Sequence, residues 1–384
     1  MLKRCLVWWS CFSGLCSVAQ AQLLPYRVKT DFALYWFSER PPNRMKLWND
    51  TVANVLENDS LGETTLHLAA RMGDTVLLGL LKGRGGNLNE VNKKGESAAH
   101  LSTYSNEWEA FLWLIRNGAD PNSKDKRGTN LVARCMQTNH PDELEALIRA
   151  GAIPSQVDAK GRSLLQWALE KGNLTLADLL LSKNARWQTP QLTATSPAVL
   201  IVRLGAVKLY NHLRKQGLDP AQPDVDGNHL AHHAAEAEQA EMVTLLLNTT
   251  AGPNPRNRAG ETPLHWAART NNESVIRKML EAAADPKLTD NLGRTPLMVA
   301  ALKGKRYAVE ALMPVSEVNL SDRQGNTALH HAATAGDIAC IEKLLAAGAK
   351  ATAKNKDGNT PLELAANEQV QQRLGGKASR TKTN

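Results

Sequence analysis

Gly260-Glu261-Thr262-Pro263-Leu264-His265-Trp266-Ala267-Ala268 is the stretch that decides how this chain reads. Thr262 stands two residues after a glycine and carries an oxygen that can accept from the free N–H groups of a helix's first turn. Pro263 suits the first helical position, where the N–H it lacks is not missed. Leu264 supplies apolar surface, and the small pair Ala267-Ala268 lets a neighbouring helix approach closely. The stretch therefore predicts the start of a short helix made to be stacked on others.

The same pattern recurs in phase along the chain. Glycines stand at Gly62, Gly95, Gly128 and Gly161, then at Gly227, Gly260 and Gly293; every step is 33 residues, with one double step of 66 whose missing member falls at Ala194. Gly325 and Gly358 follow at steps of 32 and 33. Cap residues repeat two places after each: Thr64, Ser97, Asn130, Ser163, Ser196, Thr262, Thr295, Thr327 and Thr360. Seven places after it the residue is small, as at Ala69, Ser102, Cys135, Ala168, Ala234, Ala267, Ala300, Ala332 and Ala365. Gly73, Asn106, Asn139, Gly172, Gly205, Asn271, Gly304 and Gly336 then supply a helix stop, since Gly and Asn best tolerate the left-handed conformation. A second helix places Leu81, Leu114, Leu147, Leu180, Leu213, Leu246, Met279, Leu312 and Leu344 at one repeating core position. A fixed period of this length means stacked repeats.

The pattern Gly-x-Thr-Pro-Leu-His-x-Ala-Ala, with a later Leu-Leu-x-x-Gly-Ala-Asp, resembles the ankyrin repeat. The resemblance covers about residues 59–374 and implies an all-α ankyrin-repeat solenoid: helix-turn-helix pairs with β-hairpin fingers, elongated and curved. About ten units are expected, starting near 59, 92, 125, 158, 191, 224, 257, 290, 322 and 355. The unit around Ala194 lacks the Gly and the His but keeps Ser196-Pro197, Gly205, Leu213 and Gly217, so it counts as a repeat. Residues 22–58 read as an N-terminal helical cap, Gly375-Gly376 as the end of the last helix, and 375–384 as a disordered basic tail.

The first 21 residues read as a secretory signal peptide. Lys3 and Arg4 form a positive n-region, Cys5 to Val18 an uncharged, mostly apolar run, and Ala19-Gln20-Ala21 the small-x-small cleavage motif, leaving Gln22 as the mature N-terminus. The apolar run is too short to span a bilayer, so no stable membrane insertion is expected after cleavage. Of five cysteines only Cys135 and Cys340 remain; the register puts them six repeats apart, past the roughly 7 Å limit for a disulfide. Removing the five cations Lys3, Arg4, Lys377, Arg380 and Lys382 from the formal charge of +8 leaves about +3, a poor basis for binding nucleic acid.

No phosphate loop, zinc-protease motif or Cys-x-x-Cys pair is present, so neither enzyme activity nor a cofactor is expected. His229, His232 and His233 lie close enough to suggest a metal, yet His232 falls at the place of His67, His100, His265 and His330. The resemblance implies that this histidine bonds backbone between neighbouring repeats, and no metal site is expected. Trp167 and Trp266 occupy the variable sixth position after the glycine. They either pack under the neighbouring finger or offer an aromatic anchor to a partner.

The family binds through finger tips and the first-helix face of the groove. On this register those positions are the three residues before each glycine, the one after it, and the ninth and tenth. In the second to fifth units they collect Lys93, Lys94, Lys126, Arg127, Lys160, Arg162, Lys171 and Arg203, whereas the sixth turns acidic with Asp224, Asp226 and Glu236. A basic groove for an acidic surface on a protein partner is expected. With the leader, this predicts a monomeric, non-catalytic binding protein of a bacterial periplasm or envelope, a regulator or an immunity protein. A secreted effector that binds host proteins is the alternative.

Overall fold

The computed structural model describes residues 61–158, 161–188 and 192–378. The signal peptide, its cleavage site and the proposed cap at 22–58 lie outside the described residues. Two compact units meet in sequence at Leu164 and Leu165.

The first unit begins with three helix pairs. These are α1 (Thr65–Arg71) with α2 (Thr75–Gly83), α3 (Ala98–Tyr104) with α4 (Trp108–Arg116), and α5 (Leu131–Thr138) with α6 (Pro141–Arg149). First helices stack on first helices, α1 on α3 and α3 on α5; second helices do the same, α2 on α4 and α4 on α6. The unit boundary falls within α7 (Leu164–Glu170), which pairs in sequence with α8 (Leu174–Ser182).

The second unit continues with α9 (Pro197–Arg203) and α10 (Val207–Lys215), then α11 (Leu230–Glu236) and α12 (Ala240–Leu247). Next come α13 (Pro263–Ala267) and α14 (Glu273–Glu281), α15 (Pro296–Leu302) and α16 (Arg306–Leu312), α17 (Ala328–Ala335) and α18 (Ile338–Ala346), and finally α19 (Glu368–Ala378). Stacking follows the same rule, α9 on α11, α11 on α13, α13 on α15 and α15 on α17. The stretch after Ala194, which lacks the glycine, carries the helix pair α9 and α10, and α9 stacks on α11 like the first helices of the other units.

The core is the repeating one. Ala69, Ser102, Cys135, Ala168, Ala234, Ala267, Ala300 and Ala332 are fully buried, as are Leu114, Leu147, Leu180, Leu213, Met279, Leu312 and Leu344. Cys135 and Cys340 are free and buried, and burial pushes both thiols up, Cys340 to about 12. Leu-sized residues on the second helices and Ala-sized ones on the first set how closely neighbouring repeats approach.

The fingers are slighter than hairpins. Four of them are closed by a single antiparallel bridge, Val91 to Ser97, Lys124 to Asn130, Val157 to Ser163 and Ser321 to Thr327. Consecutive fingers are tied by one backbone bond, as Lys126 N–H to Lys94 C=O at 3.0 Å and Arg323 N–H to Leu292 C=O at 2.9 Å. Gly95 shows why the period carries glycine: its φ is +75°, and a Cβ there would lie 3.0 Å from the Lys126 nitrogen.

Two local expectations are corrected. Asn271 is not left-handed. Helix α13 instead ends early in tight turns, Arg269 N–H to Trp266 C=O and Thr270 N–H to Ala267 C=O, and the Thr270 hydroxyl also donates to the Ala267 carbonyl at 2.8 Å. The left-handed turns of this region fall on Glu238 and Ala283, at φ 59° and 62°. Gly375 and Gly376 do not stop α19, which runs to Ala378. A glycine ends a helix only when it turns left-handed, and Gly375 is not among the glycines with positive φ.

Candidate protein-binding surface

Each finger is built round an Asn or Asp three residues before its glycine. Asp125 accepts the N–H of Arg127 at 2.9 Å and of Thr129 at 2.8 Å through one carboxylate oxygen. Asp224 holds Asp226 and Asn228 in the same way, and Asp322 holds Gln324 and Asn326. These are turns closed by a side chain on its own backbone. All three residues are buried, so the first of the three expected finger-tip positions faces inward and Asp224 is not surface charge.

The repeated histidines join one repeat to the next. The Nδ1 atom of His67 accepts from the Thr64 N–H at 3.1 Å and from its hydroxyl at 2.8 Å. Two donors on Nδ1 put the proton on Nε2, which donates to the Glu96 carbonyl at 3.2 Å. His100, His265 and His330 repeat this with Ser97 and Thr129, Thr262 and Arg294, and Thr327 and Asn359. His232 does so between the His229 N–H and the Glu261 carbonyl. Burial holds these imidazoles below their ordinary value, His232 down to about 4. Among the described residues no group of three His, Cys, Asp or Glu is placed to hold a metal ion.

What occupies the second oxygen of the finger carboxylates differs between the units. In three fingers of the second unit the residue at the sixth position donates to an acid of its own finger, whereas Asp290 gives its second oxygen to Arg294 at 2.7 Å. His233 Nε2 pairs with Asp224 at 2.9 Å, and His331 Nε2 with Asp322 at 2.9 Å. The His233 Nδ1 is buried without a partner. Trp266 Nε1 donates to Glu261 at 2.9 Å. The Trp266 ring also receives the edges of His232 and His233 at 5.4 and 5.5 Å and the Arg269 guanidinium at 5.6 Å, while Arg269 pairs with Glu261.

In the first unit Asp125 gives its second oxygen to the Tyr104 hydroxyl at 3.0 Å and to Arg127 Nε at 3.1 Å. Arg127 also reaches Glu96 at 3.4 Å. Burial pushes the Asp125 carboxyl up, but the Thr129 N–H, Tyr104 and Arg127 outweigh it and hold it below the ordinary carboxylate range. Tyr104 lies between two guanidiniums, with Arg127 5.6 Å and Arg134 5.4 Å from its ring centroid.

The structure distributes the expected binding residues unevenly. Lys93, Lys94 and Lys126 are exposed on the first unit's fingers, with no ion pair among the described residues; Lys171 is likewise exposed in the second unit. The arginines are engaged: Arg127 with Asp125 and Glu96, Arg162 with Asp158 at 2.8 Å, Arg203 with Glu236 at 3.1 Å. Lys160 lies outside the described residues. Trp167 is only 2% exposed, so it packs in the interior and offers no anchor to a partner. Trp266 is half-buried and its N–H is already used. Tyr104 and Arg134 were not foreseen. Tyr104 sits at the ninth position, which had been read for charge alone; Arg134 sits at the sixth, which had been read for aromatics alone.

Among the described residues no helix is long and apolar enough to cross a membrane. A family model for ankyrin repeats in three copies matches residues 43–125, 104–191, 199–290, 274–355 and 297–373. Its first match starts inside the stretch read as a cap. Mouse oxysterol-binding protein-related protein 1 is 40% identical over 80 residues, 20% of this chain and 8% of that protein. Human ankyrin repeat and SOCS box protein 16 is 27% identical over 208 residues, 52% of this chain and 43% of that protein. The chain thus spans less than a tenth of the first relative and under half of the second. The solved ankyrin repeat domain of Bcl-3, an IkappaB family member, is 27% identical with a TM-score of 0.46, over 56% of this chain and 99% of that one. With family matches running from residue 43 to 373, the chain belongs to the ankyrin-repeat family and is a scaffold for protein–protein interaction.

Proposed function

We propose that this scaffold is exported to a bacterial periplasm or envelope and there holds an acidic protein partner on the finger rim of its first unit. It acts without catalysis, as a regulator or as an immunity protein. The observation that carries the reading is the contrast among the rim cations. The arginines at these positions are tied to carboxylates of the chain itself, whereas Lys93, Lys94 and Lys126 are exposed and have no ion pair among the described residues. Uncommitted cations at a rim steer and orient an acidic partner. The compartment is proposed on Lys3, Arg4 and Ala19-Gln20-Ala21.

Charge reversal at the three lysines tests the surface, since none of them forms an ion pair among the described residues. Full-length chain carrying Lys93→Glu, Lys94→Glu and Lys126→Glu is expected to lose its native partner in affinity purification from the envelope fraction. Retention of that partner would refute the surface. Fractionation with N-terminal sequencing tests the compartment: protein beginning at Gln22 in the periplasm is expected, and an uncleaved cytosolic chain would end that part of the reading.

A further inference from the structure

The sixth position after the finger glycine is where the repeats differ most in chemistry. His233, Trp266 and His331 stand there in the second unit, and each donates to a carboxylate of its own finger. Arg134 stands at the same place in the first unit. The acid of its own finger, Asp125, is already taken by Tyr104 and Arg127. No carboxylate among the described residues pairs with Arg134. Its Nε is buried without a partner, and its other nitrogens reach only the Gln137 side chain and the Thr103 carbonyl, both at 3.5 Å. A guanidinium presents five donors in a rigid fork that matches a carboxylate. This one is half-buried, held on the Tyr104 ring and under-bonded.

We propose that Arg134, positioned by Tyr104, receives a side-chain carboxylate from an acidic segment of the partner protein. The inference rests on the reading that the first unit's finger rim binds such a partner, and names the residue that grips it. The surroundings fit that occupant. Lys93, Lys94, Lys124 and Lys126 are exposed on the adjoining fingers, while Glu96 and Asp125 are buried and bonded within the chain. The stack on Tyr104 holds the guanidinium in place before the partner arrives, which lowers the ordering cost of binding. A nucleic acid fits less well, because it binds by many phosphate contacts along its length. The other arginines of this face, Arg71 and Arg127, are already paired with Glu63, and with Glu96 and Asp125.

Fluorescence anisotropy of the full chain with labelled hexaglutamate tests the assignment, with oligothymidylate as competitor. Arg134→Gln is expected to weaken hexaglutamate binding about tenfold, the loss of one charge-assisted bidentate contact. Arg134→Lys, which keeps the charge and loses the fork, is expected to restore only part of it. Lys126→Gln is expected to cost about twofold and to act mainly through salt dependence. Circular dichroism confirms that each variant is folded. Absence of hexaglutamate binding, unchanged binding by Arg134→Gln, full recovery by Arg134→Lys, or tighter binding of oligothymidylate would each overturn the proposal. If the native partner is lost on lysine reversal but kept by Arg134→Gln, the binding surface stands and the assignment of Arg134 falls.

Discussion

The two compact units solve one problem differently. Most of the described fingers bury an Asn or Asp to close their turn, and a buried carboxylate needs donors beyond its own turn. At two carboxylates of the second unit the donor comes from the sixth position of the same repeat, as His233 to Asp224 and His331 to Asp322, while Asp290 takes Arg294 of its own finger. In the first unit Asp125 draws its donors from Tyr104 of the preceding repeat and from Arg127 of its own finger. Arg134 lies over the Tyr104 ring, and no carboxylate among the described residues pairs with it. A donor placed inside its repeat yields a closed, self-satisfied unit. A donor borrowed from next door leaves a cation over, and a leftover cation is what a partner can use.

The largest expected effect is the response to acid. Burial holds His229, His232, His233, His265, His330 and His331 of the second unit below the ordinary imidazole value, against His67 and His100 in the first. Below pH about 6.5 the unfolded chain takes up protons that the folded chain refuses. The stabilisation is therefore complete above that pH and is lost as the pH falls toward the folded values. For His232, held to about 4, this amounts to about 3 kcal/mol. Hydrogen exchange, corrected for its intrinsic pH dependence, should show protection in the second unit falling more steeply between pH 7 and pH 5. Equal losses in both units would break the comparison.

Asp224→Ala comes next. It removes the acceptor of the Asp226 and Asn228 N–H groups and strands His233 Nε2 in the interior. A cost of about 2 to 3 kcal/mol is expected, read as a lower midpoint in urea. A cost under about 0.5 kcal/mol would show that the finger does not depend on this pair.

The smallest effect is expected at Arg134. With no ion partner among the described residues to lose, Arg134→Gln should shift thermal stability by no more than about 0.5 kcal/mol. A loss above about 1 kcal/mol would mean that the guanidinium is already committed within the fold, and the contrast between the units would close.

Much of this was legible without coordinates, for a reason visible in single residues. Ala267, Leu180 and the cap at Thr64 recur because each repeat meets nearly the same neighbours, so one local rule is written many times over. The candidate surface was less legible. Arg127 and Lys126 are adjacent basic residues in the sequence, yet one is tied to Asp125 and Glu96 and the other is not. Whether a charge is spent inside the fold depends on what lies a repeat away. Trp167 and Trp266 share a register position, and one is interior while the other is half-buried.

The sequence by itself determined the repeat, its period, most of the caps and turns, the core positions and the histidines at five junctions. These are local or repeat-to-repeat requirements of helix geometry and burial, and they leave a periodic trace. Only the tertiary structure decided which carboxylates turn inward, which arginines they consume, and that Tyr104 and Arg134 meet. Those outcomes come from pairing both within a finger, as Arg127 with Asp125, and between repeats, as Arg127 with Glu96, where several donors compete for one buried oxygen. Distance and burial settle that competition, and residue type alone does not record it.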